Sequence, residues 1–199
     1  MVLGLADYET PQNFEVLSYP RVGSGGTMRR LGAPEEDLFV TQGNLATSYA
    51  ELGHLEKALS MERDVYSGCL RSRGEEDEMT IQAANNYAAS LRGLERFEEA
   101  LSLLRKIVPV ARRVLGKGHR VTLKTRWSYG LTLYMDPGAT LDDLNEAVTT
   151  LEDARRIALR VFGGAHPVTG GLGRDLCKAR FTLSIRGETD GETPSLGST

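Results

Sequence analysis

The sequence is poor in cysteine, has no long apolar run and shows no excess of basic residues. Its two cysteines, Cys69 and Cys177, lie in different parts of a repeated pattern, so we predict two free buried thiols in a reducing compartment. No stretch approaches the roughly 18 apolar residues that span a bilayer, and the N-terminus lacks the basic start of a secretory signal. A net charge of −3 argues against a nucleic-acid partner. We therefore expect a soluble, cytoplasmic protein.

The most prominent feature of the sequence is an internal repeat. The pairs Leu31-Gly32, Arg73-Gly74, Leu115-Gly116 and Phe162-Gly163 recur at spacings of 42, 42 and 47 residues. Periods of roughly 20–50 residues are typical of solenoids, in which each unit buries its apolar face only against its neighbours. No segment alternates with the period of two that a half-buried strand requires. The pattern predicts an all-α, right-handed α-solenoid of antiparallel helix pairs, with three units and a C-terminal capping helix.

The repeat also predicts the domain organisation. Residues 1–30 match no unit, and residues 187–199 are polar and low in apolar content, so we expect both segments to be largely disordered. The repeat array then covers residues 31–186. Its predicted parts are three units at about 35–74, 77–116 and 119–163, followed by the capping helix at 167–186.

Aligned units share columns of small residues, which suit the close crossing of two helices. The second helix of unit one has apolar residues at steps of three and four, as the buried face of a helix requires. They are Leu55, Ala58, Leu59, Met61, Val65, Tyr66 and Leu70. The first small column precedes the second by 12 residues in units one and two, and by 17 in unit three. The first column is Ala46, Ala88, Gly130 and Cys177, and the second is Ala58, Ala100 and Ala147.

Three irregularities interrupt the pattern. The five residues inserted in unit three are assigned to 135–139, where Asp-Pro-Gly predicts a longer loop that leaves the helices intact, with Thr140 capping the next helix. Pro109 falls inside the second helix of unit two, where continued apolar spacing predicts a bend rather than a break. The glycine-rich segment 168–173 opens the capping helix, so its first turn is expected to fray.

Two segments of the sequence resemble the tetratricopeptide repeat. They are Asn44-Leu45-Ala46-Thr47-Ser48-Tyr49-Ala50-Glu51-Leu52-Gly53 with its continuation to Leu59, and Asn85-Asn86-Tyr87-Ala88 with its continuation to Leu101. The 42-residue period and the linkers that end at His119 and His166 are similar to the kinesin-light-chain-like subfamily. The resemblance covers about 155 of the 199 residues. It implies a surface that binds other proteins, as kinesin light chains bind cargo adaptors.

The resemblance further implies that the first helix of each unit lines a concave groove. Asparagine side chains there both donate and accept hydrogen bonds, so they could hold a peptide backbone of any sequence, and basic residues could pair with acidic ones. The alternative interpretation is that these residues solvate the face or brace adjacent helices, and for Trp127 packing between repeats is favoured. The implied groove residues are Asn44, Thr47, Asn85, Asn86, Lys124, Trp127, Ser128, Arg174 and Lys178.

The sequence contains no pattern typical of catalysis, a cofactor or a metal site. His119 and His166 occupy equivalent positions just before a helix and are expected to pack at its start. The acidic run 75–78 suits the positive end of a helix macrodipole. The glycines at 170–173 lack the Gly-Lys-Ser/Thr of a phosphate loop.

The sequence thus predicts a non-enzymatic scaffold for protein–protein interaction, without cofactor, nucleic acid or membrane. Its expected ligand is an extended or acidic-aromatic partner peptide, and a monomer is favoured. Two alternatives remain. The chain could be a structural fragment of a larger repeat assembly that self-associates through the apolar edge of its first helix. It could also be the accessory region of an enzyme whose catalytic domain lies elsewhere.

Overall fold

The computed structural model describes residues 35–191, which form seven helices and no strand. Six helices form three antiparallel pairs, and the seventh follows alone. The predicted all-α solenoid of helix pairs is confirmed. The helices are α1 (Glu35–Glu51), α2 (Leu55–Arg73), α3 (Glu78–Gly93), α4 (Phe97–Val114), α5 (Arg120–Met135), α6 (Leu141–Phe162) and α7 (Pro167–Gly191).

The end of α7 differs from the sequence-based boundary. The predicted disordered tail starts at residue 187, but the helix continues to Gly191. Residues 1–30, for which disorder is also predicted, and residues 192–199 lie outside the described part of the chain.

Helix packing is confined to neighbours. Each helix packs on the next along the chain, and the first helices of successive units, α1, α3, α5 and α7, also pack on one another. The largest core cluster joins α2, α3, α4, α5 and α6, while a second cluster joins α5, α6 and α7. The first helices therefore form a continuous layer, which is the layer that carries the predicted groove residues.

The small-residue column marks the crossing of the two helices in each unit. Ala46 and Ala88 are fully buried, and a Cβ added to Gly130 would lie 2.7 Å from Leu151 Cγ of α6. Cys177 of α7 occupies the same column but is exposed, so the prediction of two buried thiols holds for Cys69 only. The reason is that α7 has no second helix to cover it within the described residues.

The first helices of units two and three and α7 begin in the same way. A glycine with positive φ follows α2, α4 and α6 (Gly74 at 83°, Gly116 at 88°, Gly163 at 79°), and the capping residue comes three positions later. The Asp77 carboxylate accepts from the Met79 N–H at 2.9 Å. Imidazole Nδ1 atoms accept in the same way from the residue two positions on, at 3.3 Å for His119 and 3.2 Å for His166.

The insertion in unit three is divided between a loop and a helix. The loop between α5 and α6 comprises residues 136–140, two more than the loops 52–54 and 94–96. The other three inserted residues add almost a turn to the start of α6. Both helices of the unit are intact, as predicted, but the insertion lengthens α6 as well as the loop. Thr140 caps α6 as predicted, in a capping box with Asp143, because its hydroxyl accepts from the Asp143 N–H at 3.1 Å.

The two segments in which the sequence predicted a disturbed helix, at Pro109 and at 168–173, are both helical. Helix α4 runs unbroken through the exposed Pro109. Helix α7 begins at Pro167, so it includes Gly170, Gly171 and Gly173. A Cβ on Gly171 would lie only 2.0 Å from Trp127 Cη2, so this glycine makes room for the indole of α5. Tight packing thus compensates for its low helix propensity.

One core position of α2 carries a carboxylate. Glu62 is 2% exposed and lies four residues after Ala58 of the small column. The equivalent residues of the other two units are Leu104 in α4 and Leu151 in α6, and both are fully buried. Among the residues described, no hydrogen-bond partner reaches its Oε2. Burial raises the pKa of Glu62 to about 7. Met61, which the apolar spacing placed toward the core, is only half-buried.

Candidate functional site

A cleft of about 350 Å³ lies between α1 and α3, and two residues of α2 also line it. Asn44 and Asn86, which hold equivalent positions two residues before the small column, both line it. The cleft therefore lies on the layer of first helices that was predicted to form the groove. Its other lining residues are Phe39, Val40, Gly43, Val65, Arg73, Asp77, Glu78, Met79, Gln82 and Ala83.

The cleft combines an apolar part with a charged end. Phe39 and Val65 are buried in one small core cluster, against which Met79 packs, whereas Val40 is half exposed. At the charged end, Arg73 Nη1 lies 3.5 Å from Asp77 Oδ2, and Glu78 begins α3. This end therefore has one cationic side chain beside two carboxylates. It is not a basic surface.

Two other predicted groove residues of units one and two lie outside the cleft lining. The Thr47 hydroxyl donates to the Gly43 carbonyl of its own helix at 3.1 Å. Asn85 is half-buried, and its Oδ1 is buried with no hydrogen-bond partner in the part of the chain that the structure describes. The side chains of Thr47 and Asn85 therefore do not line the cleft, whereas those of Asn44 and Asn86, two residues before the small column, do.

The third unit and α7 are joined across the predicted groove. Trp127 Nε1 donates to Asp175 Oδ2 at 2.7 Å, and the Tyr134 hydroxyl donates to Asp175 Oδ1 at 3.1 Å. The Lys178 ammonium lies 3.6 Å from the same carboxylate. With its ring against Gly171, Trp127 packs between α5 and α7. These contacts brace adjacent helices, the alternative that was favoured for Trp127.

The remaining predicted residues do not form one cluster. Lys124 is half-buried, and its pKa is lowered, mainly by burial and also by the nearby Arg120 charge. Ser128 is half-buried at the position of Asn44 and Asn86, and its carbonyl accepts from the Thr132 hydroxyl at 2.7 Å. Arg174 is exposed on α7. The structure therefore brings Asn44 and Asn86 into one cleft and leaves the basic residues at the other end of the array.

Part of the cleft lining could have been predicted from a spacing rule that was applied to unit three only. Lys124 was included because it lies six residues before Gly130. The same rule applied to Ala88 selects Gln82, which lines the cleft. Applied to Ala46, the rule selects Val40, which also lines the cleft, whereas it does not identify Phe39, whose role depends on how α1 lies against α3.

Within residues 35–191, no group of three or more His, Cys, Asp or Glu side chains is placed to hold a metal ion. His119 and His166 serve as helix caps, and His119 Nε2 lies 3.9 Å from Glu78 Oε2. None of the described helices is both long and apolar enough to cross a membrane.

Comparison with known proteins agrees with this architecture. Residues 79–136 match the family model of the tetratricopeptide repeat. No curated protein matches the chain significantly. The matched segment covers α3 to α5, and the described helices as a whole have the fold of a tetratricopeptide-type repeat array.

Solved structures show a similar fold. A crystal structure from Podosopora anserina, described as a kinesin light chain with nearly identical TPR-like repeats, is similar with a TM-score of 0.67 and 19% identity, covering 75% of this chain and 69% of the other. The crystal structure of BtubC (BKLC) from P. vanneervenii has a TM-score of 0.58 and 18% identity, covering 84% and 70%. At such identities the likeness is one of fold. No catalytic family is indicated by these matches.

Proposed function

We propose that the protein is a non-enzymatic scaffold that binds an extended segment of a partner protein along its first helices, anchored in the cleft between α1 and α3. The observation that carries this proposal is the placement of Asn44 and Asn86, one repeat apart, in the wall of one cleft. Tetratricopeptide arrays present a ready-made surface, so little ordering entropy is lost on the protein's side.

The chemistry of the cleft suits a peptide. Each asparagine can donate to a peptide carbonyl and accept from a peptide N–H, and two asparagines at equivalent positions repeat this contact along an extended strand. The apolar wall near Phe39, Val65 and Met79 would take an apolar side chain of the ligand. A volume of about 350 Å³ lies at the lower end of the range for ligand sites. We infer that the cleft holds one or two side chains, while the rest of the ligand lies along the groove.

The distribution of charge along the first helices predicts the orientation of the bound peptide. Asp77 and Glu78 disfavour acidic residues at the cleft, whereas Arg174 and Lys178 are exposed on α7. The acidic residues expected in the partner would therefore lie toward α7, with the apolar anchor at the α1–α3 end. The cytoplasmic location inferred from composition stays a prediction.

The test uses linear peptides selected from a displayed library on the wild-type chain. The double substitution Asn44→Ala, Asn86→Ala should weaken the selected peptides by roughly tenfold or more, because each lost hydrogen bond contributes about 1 kcal/mol. A matched control, Thr47→Ala with Ser128→Ala, changes two predicted residues outside the cleft lining. Circular dichroism should show unchanged helix content in both variants. Equal affinity of the asparagine variant and the wild type would refute the cleft as the binding site.

A further inference from the structure

Helix α7 has an exposed apolar stripe. Phe181 is 67% exposed, Ile185 is 46% exposed, and Cys177 is exposed four residues before Phe181. The spacing of four places all three side chains on one face of the helix. The opposite face is buried, since Leu172, Leu176 and Ala179 belong to the core cluster shared with α5 and α6.

This stripe lies where the other units have a second helix. Cys177 belongs to the small column of Ala46, Ala88 and Gly130, all buried, and in unit three that residue contacts Leu151 and Ala147 of α6. Helix α7 is not followed by such a helix in the described part of the chain. The face is therefore shaped for another helix, and its three apolar side chains meet water instead.

The charges at the two ends of the stripe indicate what that helix is. Arg174 lies seven residues before Phe181, and Glu188 lies seven residues after it, and both are exposed. If two copies of α7 run antiparallel with a two-fold axis at Phe181, Arg174 of each copy faces Glu188 of the other, and Cys177 faces Ile185. A parallel pair would place arginine against arginine and glutamate against glutamate. Opposite charges at both ends favour the antiparallel pair.

We propose that the exposed face of α7 docks on α7 of a second copy of this chain, forming an antiparallel, two-fold symmetric dimer centred on Phe181. Such an isologous contact uses the same patch on both copies and closes on itself. It differs from the N-terminal edge considered in the sequence analysis and from the monomer that was favoured there. The cleft between α1 and α3 takes no part in the contact, whereas Arg174 belongs both to this seam and to the proposed peptide groove.

The contact should be weak and dependent on concentration. A seam that runs from residue 174 to residue 188 covers about four helical turns, and its apolar part consists of three side chains on each copy. Interfaces of this kind fall below the area of stable dimers and belong to the transient class. Sedimentation of the full chain should therefore show a monomer–dimer equilibrium in the micromolar range. Phe181→Glu should abolish the dimer by placing two carboxylates at the axis.

A cysteine test distinguishes the antiparallel geometry from other contacts. Ile185→Cys places a new thiol opposite the native Cys177 of the second copy, so mild oxidation should give a disulfide-linked dimer. The control Glu98→Cys adds an exposed thiol on α4, remote from the seam, and should give no such dimer. A dimer formed equally well by the wild-type chain through Cys177 alone would show a parallel pair and overturn the proposal.

Charge reversal gives a second, independent readout. Arg174→Glu should weaken the dimer about fivefold, and Arg174→Glu combined with Glu188→Arg should restore it, because the opposite charges then face each other again. The proposal is overturned if the wild type sediments as a monomer at every concentration. It is also overturned if Cys177 of the monomer resists a thiol reagent, because another segment of the same chain would then cover the face.

Discussion

The substitution Glu62→Leu should stabilise the array, and the gain should depend on pH. Glu62 occupies the core column that holds Leu104 and Leu151 in the other two units, and it is 2% exposed. Its Oε2 meets no hydrogen-bond partner among the described residues. A buried carboxylate without a partner is costly when charged, and an apolar residue of similar size removes that cost.

The magnitude follows from the raised pKa of Glu62. Burial moves this pKa from 4.5 to about 7. Because the folded-state pKa exceeds the unfolded value, the stabilising contribution is fully present below pH 4.5 and is lost as the pH rises through 7. At about 1.4 kcal/mol for each pH unit, the loss amounts to about 3 kcal/mol. The leucine variant should therefore be more stable than the wild type by about 3 kcal/mol or more above pH 7, with a smaller difference below pH 4.5.

The assay is urea unfolding followed by circular dichroism, at a series of pH values from below 4.5 to above 7. Other carboxyl groups also titrate, and hydrogen bonds from Arg156 and Arg126 lower the pKa of Asp153, for example. The substitution Glu62→Gln separates the contributions, because it keeps a polar group of the same shape but cannot ionise. The difference in unfolding free energy between this glutamine variant and the wild type isolates the charge of Glu62.

Two results would refute this reasoning. The first is a leucine variant that is less stable than the wild type above pH 7, which would mean that the carboxylate is well solvated or paired in the folded state. The second is a constant difference between the glutamine variant and the wild type across the whole pH range. Such a constant difference would place the pKa of Glu62 at its ordinary value in the folded chain.

Two further substitutions test the packing of α7. Gly171→Ala should destabilise the array by roughly 1–3 kcal/mol, since the added Cβ would lie 2.0 Å from the Trp127 ring. Gly187→Ala in the same helix has no atom within 4 Å of the added carbon, so thermal unfolding should show a neutral or slightly stabilising effect. Equal effects would contradict the packing argument. Arg186→Ala removes two hydrogen bonds to carbonyls of the inserted loop, at 2.6 and 2.8 Å, and should speed amide exchange in residues 136–140 several-fold but not in residues 94–96.

Periodicity explains how much of the fold could be predicted. The spacing of small residues predicts the number of helix pairs, because each helix must repeat the same contact with its neighbours. Thr140 was predicted as a cap from local chemistry alone, and the capping box confirms it. The division of the insertion between a loop and the start of α6 depends on which residues the neighbouring helix contacts. Arg186 of α7 donates to Pro137 and Ala139, so a residue about 50 positions away holds that loop.

In the candidate site, too, the sequence predicted some features, and others depend on the neighbouring helices. Asn44 and Asn86 share a column in the sequence and share a cleft in the structure. Trp127 was assigned to the same surface by the same alignment, yet its indole packs between α5 and α7. Alignment places a residue on a helix face. It does not show whether the neighbouring helix offers that side chain a glycine, as Gly171 does.

The sequence by itself therefore determined the all-α repeat and the helix pairs, because these depend on periodicity within one unit. Tertiary structure alone decided which members of each column are covered. Glu62 is buried since its column faces the core, whereas Cys177 is exposed because none of the described helices covers α7 on that side. Burial depends on what lies opposite a residue, and in a solenoid the opposite surface belongs to a different helix.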